Sequence, residues 1–576
     1  VQTEHKHYLE KSNTTRFFTF SVQLNLKHDL KIKSKYKFKA TLISSIKVAF
    51  FVLIGFNSSS QVFNDSLLND TSKNVINILG ADSFEDDEGN LDVAKFVGNA
   101  RFSQDSVFVR CDVGYLETKL QYLKAIGNII VNQGDSLFLY GDSLNYDGET
   151  KIAIVRGNVR LVKGDMTLSS SSLIYNLNTN LAFYSKGGTV VSKKNNNTLT
   201  STKGYYYSDY QSLSFKENVV LTNPEYTMTS DTLDYNEISE IAYFSGNTFI
   251  KGEENLIFCK SGYYDTKNDI SEFNQDAYLI SDGHKIEGQK LYYDRNTGFG
   301  KAIDKVTLTD TANKIIVNGD FATRNEINNT SFVTGNTLVS KWFEEKDTLF
   351  LSADTVKVVK NELTKKNSMY SYHSVRFYKK DIQGVCDSMV FLQSDSVLQL
   401  YYDPIIWSEN SQMKGDTIFV HIANNKIDKL NFRKNSFIID AINFFDSITK
   451  SLVYTKQYDQ IKGKNITAYF TQDSIRKVIV KGNGQSIFFT GEGEKRKQGL
   501  NRIDCSDIEI RFDENKIDEI LFIKEPAGKL IPIQDVKSEE EKLKGFMWKI
   551  ELKPLSKNDL IKKKIVVTDK NQLINE

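Results

Sequence analysis

The side chains of this chain that could do chemistry are few, and their spacing limits what that chemistry would be. Cys111, Cys259, Cys386 and Cys505 lie more than a hundred residues apart, with no paired C-x-x-C spacing of a redox or zinc site. Beyond residue 60 the histidines are His284, His373 and His421, each isolated in a β-like segment. None belongs to a metalloprotease or nucleophile-elbow pattern. Asp142, Asp231, Asp320 and Asp387 share one register spread along the chain. A polysaccharide-cleaving β-helix would instead gather its carboxylates and bases on one face of neighbouring rungs. Dispersal points to a turn or ladder role. The acidic stretch EDDEGN (85–90) has the wrong alternation for a calcium loop. The expectation is a chain with no catalytic residues, no metal and no cofactor.

The elements that position these residues come from a repeat. Asn99, Asn128, Asn158, Asn218 and Asn247 recur in step, with Gly188, Asp276 and Asp304 in the matching slots, at intervals of 28 to 30 residues. A second marker keeps the same time: Tyr146, Tyr175, Tyr206, Tyr235, Tyr264 and Tyr293 are spaced by 29 to 31. Within each copy apolar residues alternate, as in Val159 and Leu161, Val219 and Leu221, Leu144 and Tyr146, Leu173 and Tyr175, Leu233 and Tyr235, Leu291 and Tyr293. Period two places one face of a strand in a core and the other in water. A small residue recurs mid-strand at Cys111, Gly141, Ser170, Ser201, Ser230, Cys259, Gly288 and Gly319. It permits a bend or a close backbone approach there, and it makes two of the cysteines small buried apolar groups. Gly-Asn pairs and Asp-Gly-Glu-Thr (147–150) are expected to supply the tight turns between strands.

Composition agrees. Five prolines in 576 residues, against about 5% on average, suit uninterrupted pairing, and 28 Tyr with 37 Phe suit strand surfaces. The pattern loosens after about 340 but continues to about 535. The expected organisation is a regular repeat region over 75–340, a divergent continuation over 341–535 and a charge-dense tail over 536–576. In that tail FMWKIEL reads first as a rod cap or simple end and second as a docking segment. Repeats of this length predict an all-β, elongated antiparallel solenoid of roughly a dozen units of about 30 residues, each buried only against its neighbours.

Residues 1–60 differ. Five lysines (31–39), an apolar run Val48–Phe56 and then small residues follow the order of a secretory signal, with the most N-terminal part read as an overextension of the gene. Residues 1–60 hold ten basic and three acidic side chains, which leaves 64 basic and 70 acidic, a net of −6. That charge lacks the footprint of a nucleic-acid binder.

The Gly-Asn-Val openings, the GDSLNYD and SDTLDYN motifs and the thirty-residue β repeat resemble the OstA-like, or LptA-like, family of periplasmic lipopolysaccharide-transport proteins, in particular its long Bacteroidetes-type members. The resemblance covers 96 to about 325 well and the remainder loosely. It implies an open β-jellyroll whose apolar interior accepts lipid A acyl chains, and a periplasmic, non-enzymatic bridge between inner and outer membrane. Implied partners are lipopolysaccharide and related β-jellyroll proteins at both membranes. The open strand edges of the terminal rungs, near 91–110 and 515–534, are expected to pair head to tail with a second copy or with such partners. On that reading Leu144, Tyr146, Val159, Leu161, Leu173, Tyr175, Tyr206, Val219, Leu221, Leu233, Tyr235, Tyr264, Leu291 and Tyr293 line the lipid groove. The same rows also suit a structural or adhesive surface solenoid, if the interior is packed shut. An outer-membrane barrel fits less well, since the chain closes on a polar NQLINE.

Overall fold

A computed structural model describes residues 75–561, apart from 87–91, 134–136, 165, 194–195, 208, 237, 282, 344–346, 365, 424–425, 447–450, 472–473, 492–497 and 514–515. The expected signal lies outside the described residues. Among them no helix is long and apolar enough to cross a membrane. The fold is all-β and antiparallel. By internal contacts the chain divides into two units, one ending at Ala302 and the other beginning at Ile303.

In the first unit Val93–Gln104, Val107–Glu117, Tyr122–Gln133, Leu137–Asp147, Ile152–Lys163 and Met166–Asn176 pair in chain order. Each thirty-residue repeat is therefore two strands and two connections. The next two strands are each split at the middle, into Leu181–Tyr184 and Gly188–Ser192, then Asn197–Ser201 and Lys203–Tyr207. Unbroken strands resume at Ser212–Thr222 and run to His284–Asp294.

The Asp-Gly-Glu-Thr turn is as expected. The Asp147 carboxylate accepts the Glu149 and Thr150 backbone N–H groups at 2.9 and 3.0 Å, and Asn176, Asn236, Asp265 and Asp294 do the same one or more repeats on. The Gly-Asn pairs, in contrast, are not turns between strands. Gly157 and Asn158 sit mid-strand with φ of +75° and +43° and together oppose the single residue Ser171. This is a β-bulge, which bends the strand and sharpens its twist. Gly and Asn are the residues that adopt left-handed backbone most cheaply, so the pair marks a corner. A Cβ at Gly157 would also lie 2.3 Å from the Asp142 carboxylate.

The same contact accounts for two of the dispersed aspartates, Asp142 and Asp320. Asn158 Nδ2 donates to Asp142 at 2.8 Å, Asn128 to Asp112 at 2.8 Å, and in the second unit Asn336 to Asp320 at 2.8 Å. Each aspartate staples the corner of the adjoining strand. The small residues lie across from the first residue after the bulge: Gly141 opposite Ile129, Ser170 opposite Val159, Cys259 opposite Thr248. At Gly141 a Cβ would meet Val155 at 2.3 Å, so the corner closes only over a small side chain.

In the second unit the pattern loosens for a visible reason. Strands from Asn367–Tyr372 to Thr417–Ala423 are short half-strands, split where the corner would be. Long strands then return as Lys426–Asp446, Ser451–Thr471, Ser474–Thr490 and Gly499–Asp513, with corners at Lys434–Asn435 and Gly482–Asn483. In the tail, residues 533–561 lie against the sheet, with Leu543 buried, Phe546 against Phe437 and Tyr458, and Trp548 against Tyr458.

Candidate functional site

Among the described residues the long strands of the first unit bend at the corner and two are split there, so the two halves face one another across an interior. Strand register sets two long rows there. Along one half runs Tyr146, Ala153, Tyr175, Ala182, Tyr206, Leu213, Tyr235, Ala242, Tyr264, Ser271 and Tyr293, each opposite the next. Along the other half runs Leu139, Leu161, Leu168, Val190, Leu199, Leu221, Met228, Ile250, Ile257 and Leu279. All fourteen sequence-derived groove candidates point to this interior. Leu144, Tyr146, Val159, Leu161, Leu173, Val219, Leu221, Leu233, Tyr235, Tyr264 and Leu291 are buried, whereas Tyr175, Tyr206 and Tyr293 are half-buried.

The interior is not uniformly filled. A cavity of about 190 Å³ lies between the two halves, lined among others by Val109, Leu139, Leu161, Leu144, Tyr146, Ala153, Leu173, Tyr175, Ala182 and Tyr206. It forms where the tyrosine row alternates with alanine, because Ala153 and Ala182 leave volume that a larger side chain would occupy. Lys163 lies at its edge, with its ammonium 5.9 Å from the Tyr206 ring. Sequence reasoning missed Lys163. Its position two residues beyond Leu161, on the same strand face, was the available signal.

Polar tips of the row are tied down at the rim. The Tyr146 hydroxyl donates to Gln104 Oε1, and Gln104 Nε2 donates to the Gly148 carbonyl at 3.2 Å. The Tyr264 hydroxyl donates to Asp269 at 2.7 Å. Burial first, then the Asp105 and Asp147 carboxylates, pushes the Tyr146 phenol up to about 12. An unfolded phenol titrates near 10. The folded form therefore holds its proton longer, and the stability this gives is whole below about pH 10 and lost as pH rises through 12. Tyr146→Phe should flatten the fall in melting temperature over that window, measured against wild type in a pH series.

Nothing in the described residues assembles a reactive centre. The four thiols are unpaired with one another; burial raises Cys111 to about 11 and Cys259 and Cys386 to about 12, the opposite of an activated nucleophile. His373 stands 3.6 Å from Asp387 but is exposed, and His421 meets Asn431 at 3.0 Å. No group of three metal-ligating side chains comes together among the described residues.

Residues 73–231 and 227–287 match the family described as OstA-like protein. The matched residues contain the cavity and all of the groove candidates except Leu291 and Tyr293. A solved structure similar to this chain is LptH of Pseudomonas aeruginosa, titled the LptA homologous periplasmic component of the conserved lipopolysaccharide transport device. It is 14% identical over 24% of this chain and 81% of that one, with a TM-score of 0.13, too low to bear on the fold. No curated protein matches.

Proposed function

We propose that the protein is a periplasmic, non-enzymatic carrier that conveys lipopolysaccharide between the two membranes, its acyl chains lying in the first unit's interior. The supporting observation is the cavity between the tyrosine and aliphatic rows of the OstA-like segment. An acyl chain needs a dry path through water, and each buried CH₂ is worth about 0.8 kcal/mol. Rows that repeat every strand offer that stabilisation at many equivalent positions, so a chain can slide with little change in energy. Related β-jellyroll proteins at each membrane, or a second copy, would join through the open strand edges at the ends.

The test is photo-crosslinking in living cells from positions 146, 175 and 235. Adducts of lipopolysaccharide size are expected. Absence of any lipid adduct from all three inward positions would overturn the reading and favour a structural solenoid.

A further inference from the structure

We infer that the second unit is braced shut by its own C-terminal segment and takes no cargo, so that lipid is confined to the first unit. The cargo half of this inference rests on the proposed function; the bracing does not.

Two independent observations carry it. The row of the second unit that corresponds to the tyrosine row of the first is Met369, Phe391, Leu398, Val420, Leu430, Ala468 and Val478, which lie opposite one another in succession; Leu398 is half-buried and the others are buried. Tyrosine–alanine alternation does not occur along that row, so the feature that leaves a cavity in the first unit is missing.

The second observation is on the other face of the same strands. Successive side chains of a strand point to opposite faces. Ser436 opposes Gly463 at the small corner position, so its neighbour Phe437, and Ile439 two residues on, face outward. That outward face is apolar and covered by residues 541–549. The covering segment is held through its backbone by two buried glutamines on different strands. Gln460 accepts from the Leu543 N–H at 2.9 Å and donates to the Glu541 carbonyl at 2.7 Å. Gln412 accepts from the Lys549 N–H and donates to the Met547 carbonyl, both at 2.7 Å. Farther along, Arg376 Nη1 donates to the Asp559 carbonyl at 2.7 Å. The segment thus crosses from the strand holding Gln460 to Ser411–Lys414 and on to Val375–Tyr378. A bent sheet opens by changing the twist that accumulates from strand to strand. A strut bonded to well-separated strands opposes that change, because its four glutamine–backbone hydrogen bonds and its apolar contacts must be given up together.

The native cysteines report the outcome. The full-length triple variant Gln412→Ala, Gln460→Ala, Trp548→Ala is treated with N-ethylmaleimide, and labelling is read site by site by mass spectrometry. Cys386, on the inner face of the second unit, should label roughly tenfold faster than in wild type, while Cys111 and Cys259 in the first unit keep their slow rates. An unchanged Cys386 rate, with release of 541–549 confirmed by proteolysis, overturns the bracing. Equal acceleration at all three also overturns it, since that is general unfolding. For the cargo, photo-crosslinkers are placed at 206 and at the equivalent position 420 in wild type. Lipid adducts from 206 and none from 420 are expected. Adducts from 420 overturn the confinement. No adduct from either position overturns the proposed function itself, and the thiol result still decides the bracing.

Discussion

Leu144→Asp should unfold the strands around the first unit's cavity. Leu144 is 1% exposed and lies between Ala125 and Val155 on the neighbouring strands. No cation or hydrogen-bond donor on those neighbours would meet a carboxylate. An unpaired buried carboxylate costs several kcal/mol, and losses above about 4–5 kcal/mol belong to this class of change. The carboxyl would escape part of the cost by staying protonated, so its folded-state value would rise. The defect should accordingly be smaller near pH 4 than near pH 8. Hydrogen exchange is the suitable measurement, because a stack of repeats loses its rungs locally rather than as one body. Fast exchange over 122–176 with retained protection over 426–490 is expected. Native protection over 122–176 at pH 8 would mean that the interior there is already wet.

Leu543→Ala is expected to free the C-terminal segment. Leu543 is 2% exposed within the cluster of Phe437, Ile439, Ile442, Ile487, Phe489 and Leu500. Truncating a buried leucine to alanine costs about 2–5 kcal/mol. A segment attached over one face has little more than that holding it, so the loss appears as detachment and not as global unfolding. Limited proteolysis should cut between 536 and 561 at a protease concentration that leaves wild type intact. If the variant resists cleavage as wild type does, the glutamine–backbone bonds alone hold the segment.

Much of this molecule is written locally in its sequence. The thirty-residue period, the inward rows and the small corner residues could be read directly, because each rung packs mainly on the next and must repeat the same solution. The dispersal of Asp142 and Asp320 has the same reason: each aspartate hydrogen-bonds the corner of its own rung. The OstA-like motif followed from that repetition.

Other features lay beyond it. Gly-Asn suits a hairpin turn and a mid-strand bulge equally, since both need left-handed backbone; only pairing of Gly157 and Asn158 against Ser171 separates the two. The attachment of FMWKIEL had no local signal either. Gln412 meets Met547 across 135 residues, through backbone groups that every sequence possesses. Whether the interior is open depends on how side chains from two facing halves add up in volume. Alternation along one strand fixes which residues point inward. The space left between Ala153, Ala182 and the aliphatic row opposite is a property of both halves together, and it exists only once the strands have bent toward each other.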